Sequence, residues 1–183
     1  MTRVLLCRIT LLGLGIMTLL GTSPLSAQEH GTGTVTVDGE TQSFTVQQCD
    51  WMDHRGTLML DLHSTAETGS LLFKFQELVV EEGSRSTVTV QGEVVEIAAF
   101  QKIHLRPSGH VFEARRRQAA DGTWHVDPQG DPAPGPLYRI DGSTVTVSET
   151  FKSWTTGENH VVELSVEGVS CLLQEPCVYP RCR

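Results

Sequence analysis

Asp61 and His63 stand two residues apart, so on an extended strand both side chains project from one face. A carboxylate beside an imidazole can orient a general base or complete a metal site. Solvated strand faces routinely carry such polar neighbours, so the pair is a polar candidate and no more. Asp50, Asp53 and His54 gather hard-cation oxygens just past Cys49. Their spacing matches no EF-hand loop and reads better as an acidic solvated turn. Arg115, Arg116 and Arg117 form the one basic run. In a strand Arg115 and Arg117 share a face and Arg116 opposes it. The segment therefore reads as a solvated edge strand, with an anion-binding patch as the sharper alternative. Trp51, Trp124 and Trp154 each fall near a turn or strand end, where an indole caps a core or lines a ligand mouth. His104, His110, His125 and His160 lie too far apart in sequence to be assembled into one site.

No Gly-x-Ser-x-Gly elbow, His-Glu-x-x-His pair, P-loop or Gly-x-Gly-x-x-Gly fingerprint occurs. The sequence thus nominates no catalytic residue, no metal ligand and no cofactor. The chemistry it does announce is that of cysteine. Cys49, Cys171, Cys177 and Cys182 remain once Cys7 is assigned to a leader segment. Their C-x5-C-x4-C spacing at the C-terminal end suits neither zinc nor a redox-active Cys-x-x-Cys pair. Structural disulfides are the expectation. Four cysteines allow three connectivities. The favoured one is Cys49–Cys171 with Cys177–Cys182, the second pair enclosing Val-Tyr-Pro-Arg with Pro180 to promote the turn.

The elements that must carry these residues have a period of two. Val35 and Val37 alternate with Thr34, Thr36 and Asp38, and Phe44 and Val46 resume the pattern after Asp38-Gly39, a strong tight-turn signal. Residues 33–48 therefore read as a hairpin, with Gly31-Thr32-Gly33 as its flexible lead-in. Leu58, Leu60 and Leu62 face away from Met59, Asp61 and His63. Leu71, Phe73 and Phe75 repeat the pattern, as do Val88 with Val90, Val145 with Val147, and Val162, Leu164 and Val166. Glu93 to Leu105 suits a helix or a strand. Residues 110–117 and 123–127 read as a hairpin through Asp121-Gly122, and Asp127 to Pro136, with four prolines, as a long surface loop. The sum is an all-β fold: an antiparallel β-sandwich or flattened barrel with at most one short helix, stapled by disulfides.

Residues 1–27 read as a secretory signal. Arg3 and Arg8 make a positive start, an uncharged apolar run follows to Leu20, and Leu25-Ser26-Ala27 ends on a small residue. The apolar run from Ile9 to Leu20 has 12 residues, short of the ~20 that span a bilayer. Lipidation is not expected, because Cys7 precedes the apolar run. Removing the leader leaves 156 residues, with 12 basic against 22 acidic groups, and takes the net charge from −8 to −10. That balance argues against nucleic acid. The mature chain contains no second apolar stretch of membrane length. The expected division is a leader at 1–27, a single β-rich domain at 28–171 and a cysteine-containing tail at 172–183. The destination is the periplasm or the exterior.

Two regions resemble the mycobacterial LpqH-type lipoprotein antigen family. One is Val35-Thr36-Val37-Asp38-Gly39 with Cys49 ten residues beyond the glycine. The other is Tyr138-Arg139-Ile140-Asp141-Gly142, followed by a strand pair ending in Ser170-Cys171. The resemblance covers roughly 50 residues at the two ends and implies a compact exported β domain closed by Cys49–Cys171. This sequence lacks the family's lipidated cysteine, and its tail from Leu172 to Arg183 goes beyond the family pattern. The resemblance implies an envelope interaction surface and no catalysis.

The expected function is that of an exported, non-catalytic binding module with an envelope or extracellular partner. A carrier of small hydrophobic ligands is the alternative, cued by Met59, Leu72 and Val161 on outward positions. A hydrolase or metal-dependent enzyme built on Asp61 and His63 comes third.

Overall fold

The computed structural model describes residues 29–67, 69–80, 84, 86–90, 92–107, 109–127, 129–179 and 182; the expected leader lies outside them. Strands β1 (Thr32–Val37) and β2 (Glu40–His54) form the first hairpin, and β3 (Thr57–Ala66) and β4 (Gly69–Val79) the second. Next come β5 (Ser86–Val90), β6 (Glu93–Arg106), β7 (Phe112–Ala119), β8 (Trp124–Val126) and β9 (Pro132–Ala133). The chain closes with β10 (Arg139–Asp141), β11 (Thr144–Lys152), β12 (Asn159–Glu167), a 3-10 turn at Ser170–Leu173 and β13 (Cys177–Val178). The fold is all-β. The segment left between helix and strand is β6, because its Ile97, Ala99, Ile103 and Leu105 alternate inward over 14 residues.

The strands make one sheet in the order β10-β11-β12-β1-β2-β3-β4-β6-β7-β8-β9, with β5 on β6 and β13 on β2. The named ladders are antiparallel, except that β13 runs parallel to β2. Asp38 and Gly39 turn β1 into β2 with φ of 51° and 87°, the primed-turn geometry that matches strand twist. Gly33 is no flexible lead-in. It sits inside β1 between Phe44 of β2 and Val166 of β12. A Cβ there would lie 2.5 Å from the Ser165 carbonyl oxygen and 2.7 Å from the Phe44 ring. The glycine is what lets the three strands close up.

One irregularity decides where the first disulfide goes. Phe44 and Val46 point into the core at even positions, but a bulge between Val46 and Gln48 inserts one residue. Beyond it the odd positions turn inward, and Cys49 and Trp51 pack on the core. Cys49 then meets Cys171 with Cα atoms 5.8 Å apart, and Cys177 meets Cys182 at 5.5 Å. Both favoured pairings are present.

The sheet curls round one core, in which Phe44, Phe73, Phe75, Phe112, Leu60, Leu62, Ile103, Val145 and Val162 are buried. Towards its two ends, β7 and β11 meet along a seam without a continuous ladder, so the barrel does not close. A bridge joins Phe112 to Ser153, the Trp154 N–H donates to the Val111 carbonyl at 2.8 Å, and the Phe112 and Phe151 rings touch. Arg116 of β7 reaches Glu149 of β11 at 2.8 Å and donates to the Gly135 and Pro136 carbonyls.

The expected solvated arginine strand is thus corrected: Arg116 and Arg117 are each only 6% exposed. Arg117 faces Asp127 at 3.9 Å, and Arg115 alone of the three is exposed. The reason is tertiary. The proline-rich loop folds back as β9 and then sends Leu137 and Tyr138 into the core, giving Arg116 a wall of carbonyls to bond. Gln101, 4% exposed, holds that wall by accepting the Leu137 N–H at 2.9 Å. Tyr138 meets Phe75 edge-on at 5.0 Å, and burial, with the Glu77 carboxylate adding to it, pushes its hydroxyl far above the usual phenol range.

Candidate functional site

Asp61 and His63 share the outer face of β3 but not a hydrogen bond. Asp61 lies opposite Lys74 and pairs with it at 2.5 Å, while its other carboxylate oxygen is buried without a partner. His63 lies opposite Leu72 and is exposed. Near Cys49 the acidic residues are held singly. Asp50 accepts from Gln48 at 2.8 Å, Asp53 accepts the Gly56 N–H at 2.8 Å, and the His54 ring packs on Tyr179. Among the described residues no group of three or more His, Cys, Asp or Glu side chains could hold a metal ion. Trp51 packs on the core, Trp124 is half-buried and Trp154 is 73% exposed.

The structure assembles what sequence distance hid. Asp38 in the β1–β2 turn accepts from His160 Nδ1 at 2.6 Å and from the Val161 N–H at 2.9 Å. These two bonds, the His160 bond first, hold the Asp38 carboxyl below the usual carboxylate range. His160 Nε2 in turn lies 3.2 Å from the Thr156 hydroxyl in the β11–β12 turn. The His110 ring sits 4.7 Å from that of His160, with its Nδ1 buried and unpartnered. Val35, Val37, Glu40, Thr41 and Glu67 complete an open groove of about 750 Å³ beside these rings. Antiparallel pairing of β1 with β12 brings the two turns to the same end, and residues 122 apart in sequence carry no local signal of it.

Carboxylate, imidazole and hydroxyl in this order have the polarity of a nucleophilic relay, but the N–H groups of the β11–β12 turn itself are already bonded. Acyl transfer needs N–H donors free to face the developing oxyanion. Here the Thr155 and Thr156 N–H groups donate to Ser153 Oγ, and that of Gly157 to the Ser153 carbonyl. The Glu158 N–H donates to the Thr156 hydroxyl itself. Every N–H of the loop is engaged, and the nucleophile's own oxygen accepts one of them. The arrangement clamps two hairpin ends and lines one side of the groove.

A second polar surface crosses the outer face of β4, β6 and β7. Lys74, His104 and Glu113 are lateral neighbours, as are Gln76, Lys102 and Arg115. Glu113 bonds Lys102 and Arg115, each at 3.1 Å, and faces His104 at 3.7 Å. Partial burial raises the Glu113 carboxyl, but the two cations outweigh it and hold it below the usual range. Leu72, Lys74, Gln76, Lys102, His104 and Arg106 line an open depression of about 260 Å³.

Fold and surface together define a disulfide-stapled all-β fold with one hydrophobic core and grooves lined by polar and apolar side chains alike. The chain matches no protein-family model, no curated protein and no solved structure. Two disulfides are the mark of an oxidising compartment. Among the described residues no helix is long and apolar enough to cross a membrane.

Proposed function

We propose that the chain is an exported binding domain that works through its outer surface, in the periplasm or outside the cell. The filled interior carries this reading. Inward side chains of β1 to β4, β6, β7, β11 and β12 pack into one core, and Leu137 and Tyr138 are buried in that same core. Of the depressions described above, the one across β4 and β6 lies on the outer face, and the one beside His110 and His160 opens at the end of the sheet, where the buried Val35 and His160 are part of its lining. A carrier of hydrophobic ligands needs an enclosed apolar cavity, and its sequence cues fall elsewhere. Met59 and Leu72 are half-buried on the outer face, and Val161 is 50% exposed. The reading agrees with the LpqH-type resemblance, which implies an interaction surface without catalysis. The signal at residues 1–27 supports export, and the two disulfides are consistent with it.

Co-sedimentation of the purified chain with isolated cell-envelope material, alongside native mass spectrometry, tests it. The expected result is saturable sedimentation and a mass equal to that of the bare polypeptide. A chain that stays in the supernatant, or one that carries a lipid-sized ligand, would overturn it.

A further inference from the structure

We propose that the outer face of β4, β6 and β7 is a docking strip for an acidic polysaccharide, a chain carrying one carboxylate or sulfate per sugar. The proposal rests on the reading of the protein as an exported surface binder and names its partner.

Lys102, His104 and Arg106 occupy alternate positions of β6, so they recur on one face about every 7 Å. Lys74 stands opposite His104 on one side, and Arg115 opposite Lys102 on the other. Two of the three lysines in the sequence are on this strip. The strip holds four permanent cations, Lys74, Lys102, Arg106 and Arg115, against two carboxylates, Asp61 and Glu113. The remainder of a chain of net charge −8 is correspondingly more acidic. Such an asymmetry steers an anionic partner to one face. Arg106 has no carboxylate partner among the described residues, and its Nε donates to His104 at 3.0 Å. Its guanidinium has further N–H groups to offer an incoming acid.

The form of the surface selects among polyanions. A bilayer-binding face needs apolar side chains to insert. Of the large hydrophobics that stand out into solvent, Val79 ends β4 and Val94 begins β6, away from the residues lining this depression, and Trp154 and Leu173 lie on other elements. Duplex nucleic acid carries a charge about every 1.7 Å, and the acidic remainder of the molecule repels so dense a polyanion. A sugar polymer with one acid per residue spaces its charges more widely. Leu72 and the methylene stems of Lys74 and Lys102 give its C–H faces an apolar floor.

Calorimetric titration with polygalacturonate, with neutral dextran as control, tests the strip in the wild type and in a Lys102→Gln/Arg106→Gln variant. Arg139→Gln, at an exposed arginine on β10, controls for loss of charge alone, and thermal melts confirm that each variant folds. The wild type is expected to bind polygalacturonate and not dextran, more weakly as salt rises. The double variant should bind about tenfold more weakly, on the order of two exposed charge pairs, and Arg139→Gln should bind as the wild type does. Absence of binding, an equal loss in Arg139→Gln, or tighter binding to anionic vesicles or duplex DNA overturns the proposal. Envelope sedimentation without polygalacturonate binding removes the polysaccharide and leaves the surface-binding reading. Loss of both removes the reading itself.

Discussion

Asp38 does two jobs with one side chain. It takes the left-handed conformation that the β1–β2 turn requires, at φ 51°, and its carboxylate accepts from His160 and from the Val161 N–H. The first job was legible in the sequence as Asp-Gly. The second was not, because its partners are on β12. The two jobs can be separated, since asparagine also tolerates the left-handed region. The Asp38 carboxyl is depressed in the folded protein, so its contribution to stability is present above the unfolded pKa of about 3.9. That contribution is lost as pH falls through the lowered value. Thermal melts of wild type and Asp38→Asn should therefore differ at pH 6 and converge as pH falls below about 4. A gap that persists unchanged into acid would show that the loss is one of shape and not of charge. Glu113, between Lys102 and Arg115, is also depressed and shares this sign.

At the scale of elements, the contacts that matter are those between strands distant in the chain. β1 is the case in point, a short strand inserted between β2 and β12. Gly33→Ala would drive a Cβ into the Ser165 carbonyl and the Phe44 ring. We expect it to cost about 1–3 kcal/mol by overpacking, measured by urea denaturation. An unchanged midpoint would mean that β1 shifts without loss. The seam between β7 and β11 depends on Arg116 in a different way. Its removal leaves Glu149 and the Gly135 carbonyl without their cation at a mostly buried place. Arg116→Ala should destabilise by about 3–5 kcal/mol, far more than a solvated arginine would. Alternation along β7 alone could not rank the three arginines, since the covering loop comes from residues 132–138.

For the molecule as a whole, Cys49–Cys171 closes a loop of 122 residues and Cys177–Cys182 one of five. In the chain-entropy model the long loop contributes about 4–5 kcal/mol and the short ring about half of that. Cys49→Ala/Cys171→Ala should accordingly lower the denaturation midpoint about twice as far as Cys177→Ala/Cys182→Ala, provided m is unchanged. Equal losses would point to strain or residual structure in one of the pairs. The long disulfide also fixes the tail against β2, where Cys177 and Val178 pair with Met52 and Asp53.

What the sequence determined by itself was local and periodic. Alternation with period two, Asp38-Gly39 and Asp121-Gly122 named the longer strands other than β6 and two of the turns, but not the short β9, β10 and β13. Which face of β4 would be buried followed from hydrophobicity alone, at Leu71, Phe73 and Phe75. Period alone could not classify residues 93–105, because valine and isoleucine there satisfy both templates until β4, β5 and β7 supply ladder partners. Only the tertiary structure decided the rest. It brought Asp38, His110, His160 and Thr156 to one end, buried Arg116 and Arg117, and set Lys102, His104 and Arg106 among cations from two other strands. The physical reason is common to all three. Lateral neighbours in an antiparallel sheet are set by register across the whole fold, and register is carried by turns, bulges and core burial that no short window of sequence contains.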